Sequence, residues 1–432
     1  MISLKSIPFY FFFCLGFFST AQTFALVRGG TTYHFFSLTL YIVILYLFLN
    51  MSKDKKTKDR AYIYFKKWLI ISVISSLYGY LFFEIINLHE FSKTSLSFLP
   101  KIVGYLIFVY LFKKNDNSSL YSEYLIKGLL FGFSANAIWA LIDAVVYYMY
   151  GYSINNMTFN AYIMANDVRY EMLSIISNGR IRSAGFNADP ANIGLFSSIL
   201  AFYSLYSKNL FYLLLALIGA MSSISTTALL GILGALFYFI LTSKKVMPVI
   251  FLILFVIILL YILFNVDSYA VTMLRDGIFD RAVSKTESGG DEARLSYNLN
   301  FLPCILQIPS SLVIGTGFLT ASYPYLIGNY IVESFKPYDP EQTYISTFFD
   351  CGLIGFFFFC LLLKFLYIKF KATIKFVKND NNNNFLFAGI MGMLLSFCTY
   401  HYTLYSVEML IFICCIFYNI NSKQSLTNDN KK

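Results

Sequence analysis

The chain reads as an all-α integral membrane protein with about twelve transmembrane helices. Three observations carry that reading. Of its 432 residues, 58% are hydrophobic and only 13% are charged, a balance far from that of soluble proteins. Apolar runs follow one another near 7 to 27, 33 to 50, 68 to 88, 97 to 112, 125 to 150, 191 to 207, 210 to 223, 225 to 241, 246 to 264, 340 to 363, 385 to 401 and 403 to 420. Most of these are long enough to span a bilayer as helices. Finally, the lysines gather at the ends of the apolar runs, where the positive-inside rule accounts for a net charge of +10 without nucleic acid.

The first run carries Lys5 ahead of it and Ser19-Thr20-Ala21 near its end, a pattern shared with signal peptides, but its length points to an uncleaved anchor. The pair of runs between Leu210 and Leu241 is short, so a tight hairpin or a re-entrant segment is expected there. Lys53, Lys55, Lys56, Lys58, Arg60, Lys66 and Lys67 mark one side of the membrane, and Lys364, Lys369, Lys371, Lys375 and Lys378 fall on the same side. Both termini are therefore expected in the cytoplasm. Residues 1–432 form a single polytopic domain with two long loops facing outward, 151–189 and 265–339. The cytoplasmic loops are too short to hold a catalytic domain. Cys14, Cys360, Cys398, Cys414 and Cys415 fall within apolar runs; only Cys304 and Cys351 could meet on the outer side, and a disulfide there is not expected.

The basic residues sort by type across this topology. Arg28, Arg169, Arg180, Arg182, Arg275, Arg281 and Arg294 fall outside, and Arg60 alone falls inside. A planar guanidinium binds phosphate or carboxylate through paired hydrogen bonds, which gives the outer arginines a reason that lysine does not meet. The alternative is pairing with the loop acids Asp167, Glu171, Asp276, Asp280, Asp291 and Glu292, and both readings stand at this level.

Asp189-Pro190 is a strong helix start, with an aspartate to cap free N–H groups and a proline suited to the first helical position. Arg180 and Arg182 precede it, so a capped helix with nearby arginines competes with an anion site at the helix N terminus. The second outer loop repeats the device at Asp339-Pro340-Glu341-Gln342. Glu84, Asp143, His401 and Glu408 map to the outer halves of their runs, which suggests a polar cavity open to the outside or internal pairing. Metal-ligand spacings and phosphate-binding glycine loops are absent from the sequence, so no cofactor is expected.

The stretch from Arg182 to Gly194, the run Ser223-Ile-Ser-Thr-Thr-Ala-Leu-Leu-Gly231, and Arg294, Gly315-Thr-Gly317, Glu341-Gln-Thr-Tyr344 and Gly352-Leu-Ile-Gly355 resemble the O-antigen polymerase and ligase superfamily of bacterial inner membranes. The likeness covers roughly the C-terminal 60% of the chain. Many ligases of that group carry a histidine near the start of the helix after the second loop. Here Glu341 and Gln342 occupy that place, so the chain looks more like a repeat-unit polymerase of the Wzy type.

The resemblance implies a GT-C-like architecture and a glycosyltransferase joining polyprenyl-pyrophosphate-linked oligosaccharide repeat units at the periplasmic face, without a metal. Donor and acceptor would both be undecaprenyl-pyrophosphate-linked glycans, with a flippase and a chain-length regulator as pathway partners. Arg182 and Arg294, supported by Arg180 and Arg281, would bind the pyrophosphate, and Glu341 or Asp339 would act as base. A glycan ligase and a non-enzymatic exporter or flippase are the competing readings; an exporter would place charge along the whole path.

Overall fold

The computed structural model describes residues 7–28, 31–51, 60–85, 89–166, 173–177, 180–187, 189–242, 261, 265, 309–317, 343–376 and 381–396. The described residues are mostly helical. The first half holds α1 (Ile7–Ser19), β1 (Ala25–Arg28), β2 (Thr31–His34), α2 (Phe35–Leu49), α3 (Arg60–Ile85), α4 (His89–Lys114) and α5 (Ser118–Tyr150). Then come α6 (Ile154–Thr158), α7 (Asn160–Asn166), β3 (Ile175–Ser177), β4 (Arg180–Arg182), α8 (Pro190–Ser207), α9 (Leu210–Ser223) and α10 (Thr226–Thr242). The described part closes with α11 (Pro309–Ile314), α12 (Thr343–Phe376) and α13 (Asn381–Ser396).

Among the described residues three segments are long and apolar enough to cross a membrane: Arg60–Ile85, Ser118–Tyr150 and Thr347–Ile368. At 1.5 Å per residue, α3 and α5 exceed the roughly 30 Å hydrocarbon layer. Pro8–Ser19, Phe35–Leu49, Leu210–Ser223, Thr227–Leu241 and Asn384–Ser396 are shorter apolar helices. The run at 403 to 420 and, apart from residue 261, the run at 246 to 264 lie outside the described residues; each of the others holds a helix.

The first run differs from its expectation. α1 stops at Ser19 because the hydroxyls of Ser19 and Thr20 turn back onto the carbonyls of Gly16 and Phe17, at 2.7 and 2.8 Å. The chain then enters the antiparallel β1–β2 pair, in which Leu26 faces Tyr33 and Arg28 faces Thr31. α1 itself belongs to the core. Phe12 stacks on Tyr121 at 4.2 Å between centroids, and a Cβ on Gly16 or Gly128 would come within 2.4 or 2.1 Å of a backbone oxygen of the facing helix. Small residues let apolar helices approach this closely in lipid, where burial of side chains between helices brings no hydrophobic gain.

α8 is the central helix. Nearly every side chain from Pro190 to Ser204 is buried, and α5, α9, α10 and α13 pack around it. Between Leu210 and Leu241, where a tight hairpin or a re-entrant segment is expected, the chain forms the two short helices α9 and α10, both packed on α8. Gly219 lies against Ser197 and Gly231 against Ser198, where a Cβ would meet the serine oxygens at 2.4 and 1.8 Å. The Ser198 hydroxyl bonds the carbonyls of Gly194 (2.9 Å) and Thr227 (3.1 Å). Thus the glycines and serines of this segment bring three helices together. α3 packs separately on α4 and α12.

Candidate functional site

One face of α5 organises the hairpin end of the bundle. Asn136, Trp139 and Asp143 are spaced by three and four residues, which aligns them on a single helical face. Asn136 is fully buried: its amide donates to the carbonyls of Thr20 and Gly132 (both 2.9 Å). Its oxygen accepts from the Phe186 N–H (2.9 Å) and from the Asn187 amide (2.8 Å). One turn on, the Trp139 indole donates to Asn155 Oδ1 at 3.2 Å.

Asp143, also fully buried, accepts from Ser153 Oγ (2.8 Å), the Asn155 N–H (3.0 Å) and Ser174 Oγ (2.8 Å). Ser174 in turn accepts from the Ala184 N–H at 3.2 Å. Asn156 closes the network, accepting from the Ser174 N–H (2.8 Å) and donating to the Ser174 carbonyl (3.0 Å). A buried carboxylate is tolerable only with donors of this number and quality.

This network brackets the arginines. Ser174 directly precedes β3 and Ala184 lies just past β4, so the Asp143–Ser174–Ala184 chain fixes both ends of the hairpin that carries Arg180 and Arg182. In register, Ile175 faces Arg182 and Ser177 faces Arg180. Alternation along the strand buries Ile181 and places the two arginines together on the other, half-exposed face.

Arg182 docks on the turn between α9 and α10, where its Nε–H donates to the Ser223 carbonyl at 3.3 Å. The next residue repeats the contact through the backbone, the Ser183 N–H donating to Ser222 O at 2.9 Å. In the same turn Ile224 has φ 44° and ψ 48°, a left-handed conformation that is costly for a β-branched residue. Ser225 follows, its oxygen against Gly194 of α8.

The helix start at Asp189-Pro190 is as expected. Asp189 is extended, its carboxylate accepts from the Ala191 N–H at 2.7 Å, and Pro190 is the first helical residue. The cap therefore fills that N terminus with its own carboxylate, and the arginine contact goes to the neighbouring α9–α10 turn. Among the described residues, β4, the start of α8 and the turn into α10 form one junction.

A second group surrounds the kink of α12. Gly352 has φ 64° and ψ −173°, and the turn after α11 presses on it. The N–H groups of Thr316 and Gly317 donate to the carbonyls of Phe349 and Asp350, both at 3.0 Å. A Cβ on Gly315 would lie 2.2 Å from Asp350 O, and one on Gly352 would lie 2.4 Å from Val313 O. The glycines of Gly315-Thr-Gly317 and Gly352 are thus explained by backbone on backbone. Ser75 of α3 donates to Ile314 O, and the buried Cys351 sulfur lies 3.3 Å from Ser72 Oγ.

Of the two alternatives for carboxylates within the apolar runs, a polar cavity or internal pairing, the two described ones pair internally. Asp143 is enclosed by its donors, and Glu84 pairs with His89 at 2.9 Å and accepts from Ser92, tying the end of α3 to the start of α4. His401 and Glu408 lie outside the described residues, as do Arg281, Arg294, Asp339 and Glu341. Of the sequence-predicted site, Arg180 and Arg182 are therefore the described members. The network on Asp143, Asn136 and Ser174 was missed by sequence reasoning. The arginine hairpin had a legible signal: Asn178-Gly179 between Ile175-Ile176 and Ile181 is a strong hairpin signature.

Residues 211–360 match the family model described as O-Antigen ligase. That match supports the resemblance to the O-antigen polymerase and ligase superfamily, and with it a glycan-transferring function on lipid-linked substrates. Arg180 and Arg182 precede the matched residues, whereas Ser222 and Ser223, on which this strand docks, lie within them. No curated protein matches the chain closely enough to count as a relative.

Proposed function

We propose that the protein polymerises polyprenyl-pyrophosphate-linked oligosaccharide repeat units, of O-antigen or a related surface polysaccharide, at the periplasmic face of the inner membrane. The observation that carries this reading is the docking of the arginine strand, through Arg182, on the α9–α10 turn of the family-matched segment.

In the reaction an acceptor sugar hydroxyl attacks the anomeric carbon of the donor glycan. The new C–O glycosidic bond forms as the bond to the pyrophosphate oxygen breaks, and the hydroxyl proton passes to a base. Undecaprenyl pyrophosphate leaves as an anion and needs positive charge rather than a proton. Arg180 and Arg182, joined by Arg281 and Arg294 of the second loop, supply that charge through paired N–H donors. Glu341 or Asp339 takes the acceptor proton. With the hairpins in the periplasm, both polyprenyl tails lie in the bilayer beside the bundle, and a flippase delivers the substrates to this side.

The absence of a histidine where Glu341 and Gln342 stand favours polymerase over ligase. Glycan profiles of a deletion strain test the reading. Loss of a polymerase leaves surface lipopolysaccharide with a single repeat unit, because ligation continues. Core without any repeat would instead indicate a ligase or an exporter.

A further inference from the structure

At the end of the bundle opposite the two hairpins, α3 and α12 form a seam in which three stacked rings are flanked by two cations. The position of that end follows from two contacts: Asn115, just past α4, donates to Asn50 O, just past α2, and Lys113 lies over the Tyr62 ring near the start of α3. Along the seam Tyr64 is stacked between Phe365 (5.3 Å, 16°) and Phe358 (6.1 Å, 27°). One cation lies against the Phe365 end of this three-ring stack and another beside its other two rings. Arg60 lies 5.9 Å from the Phe365 centroid, and the Lys67 ammonium lies 5.2 Å from Phe358 and 5.9 Å from Tyr64.

Two further facts bear on what this surface binds. Lys67 is seven residues into α3, about 10 Å along its axis from Arg60. It is exposed there within an apolar stripe, Ile63, Ile70 and Ile74, whose isoleucines are 39%, 40% and 50% exposed. Their spacing of four, three and four residues puts all of them on the face of Lys67. Moreover, among the described residues no carboxylate pairs with Arg60 or Lys67. Positive charge confined to loop ends would need no explanation beyond topology. Here a fixed ammonium sits below the helix end, with open apolar surface running from it toward the middle of the bilayer.

We propose that the α3–α12 seam is a binding site for an anionic glycerophospholipid of the adjacent leaflet, independent of the glycan reaction. The headgroup phosphate lies between Arg60 and Lys67, and an acyl chain runs along Ile70 and Ile74. Stacking on Phe365, Tyr64 and Phe358 holds both cations in place before the lipid arrives, so little side-chain freedom is lost on binding.

The test uses the purified full chain in neutral detergent with added phosphatidylglycerol or phosphatidylcholine. Lipid retention is read by native mass spectrometry and thermal unfolding by tryptophan fluorescence. Wild type should retain phosphatidylglycerol preferentially and be stabilised by it. The double variant Arg60→Gln/Lys67→Gln should weaken that retention about thirtyfold, the effect of two interfacial cations. Lys114→Gln/Lys127→Gln, which removes the same charge from the same end, should leave it unchanged. Equal retention of the two lipids by wild type, or an equal loss in the charge-matched control, would overturn the site. If the seam variant fails to fold, salt titration of wild type decides: selective loss of phosphatidylglycerol supports the proposal, and insensitivity to salt refutes it.

Discussion

Arg182 donates its Nε–H to the main-chain carbonyl of Ser223 at 3.3 Å, joining the strand that precedes α8 to the turn between α9 and α10. A lysine at 182 keeps the charge but loses both this bond and the planar fork. Arg182→Lys should lower long-chain glycan about 10- to 100-fold at matched protein level, the expected effect of losing charge-assisted hydrogen bonds. Arg294→Lys should act alike, and Arg169→Lys, which carries no motif, should leave chain length unchanged. Gel profiles of surface glycan from each strain read all three, and wild-type chain length in both motif variants would remove the assigned site.

The arginine strand depends on Asp143, which holds both of its ends through Ser174. Asp143→Ala leaves buried donors without an acceptor and should destabilise the protein by about 3 kcal/mol. Ser174→Ala should cost about 1 kcal/mol. Thermal unfolding in detergent gives both values. Limited proteolysis of the protein should accelerate in each variant relative to wild type.

Gly315 and Gly352 are held by each other's surroundings, with positive φ at both and backbone oxygens within 2.4 Å of any added Cβ. Gly315→Ala and Gly352→Ala should each reduce the folded protein recovered from membranes several-fold. Gly104 is the contrast, because a Cβ there meets nothing within 4 Å. Gly104→Ala should be neutral or stabilising by about 0.5 to 1 kcal/mol, the ordinary helical gain.

Much of this arrangement was legible in the sequence because it rests on local chemistry. The Asp189-Pro190 helix start, the short α9–α10 pair and the helices in the described runs follow from capping residues and apolar length. Contacts between distant segments were not legible. Asp143 was visible as a carboxylate in an apolar run, but its partners Ser153 and Ser174 lie 10 and 31 residues away in a loop without periodicity. Similarly, the motif glycines announced themselves, yet only the fold shows that Gly315 and Gly352 face each other's backbone. The β1–β2 pair was absorbed into apolar runs because Phe24-Ala-Leu-Val27 is apolar and the polar Ser19-Thr20 and Gln22-Thr23 that separate it from α1 are too few to interrupt the run.

Sidedness has its own test. After replacement of the native cysteines, single cysteines near Asn156, at the exposed Met157, and near Gly290 should react with a membrane-impermeant thiol reagent in intact spheroplasts, and one near Asn382 should not. Labelling at Asn382 alone would place the arginine hairpin in the cytoplasm, away from the proposed reaction.

Reconstitution decides most directly between polymerisation and the alternatives. The purified protein in vesicles, given only undecaprenyl-pyrophosphate-linked repeat units, should build a ladder of longer lipid-linked glycans and release one undecaprenyl pyrophosphate for each unit added. Arg182→Lys should suppress the ladder without preventing reconstitution. Transfer that occurs only when lipid A–core is supplied, adding a glycan without elongating it, would contradict the account and assign the protein to ligation.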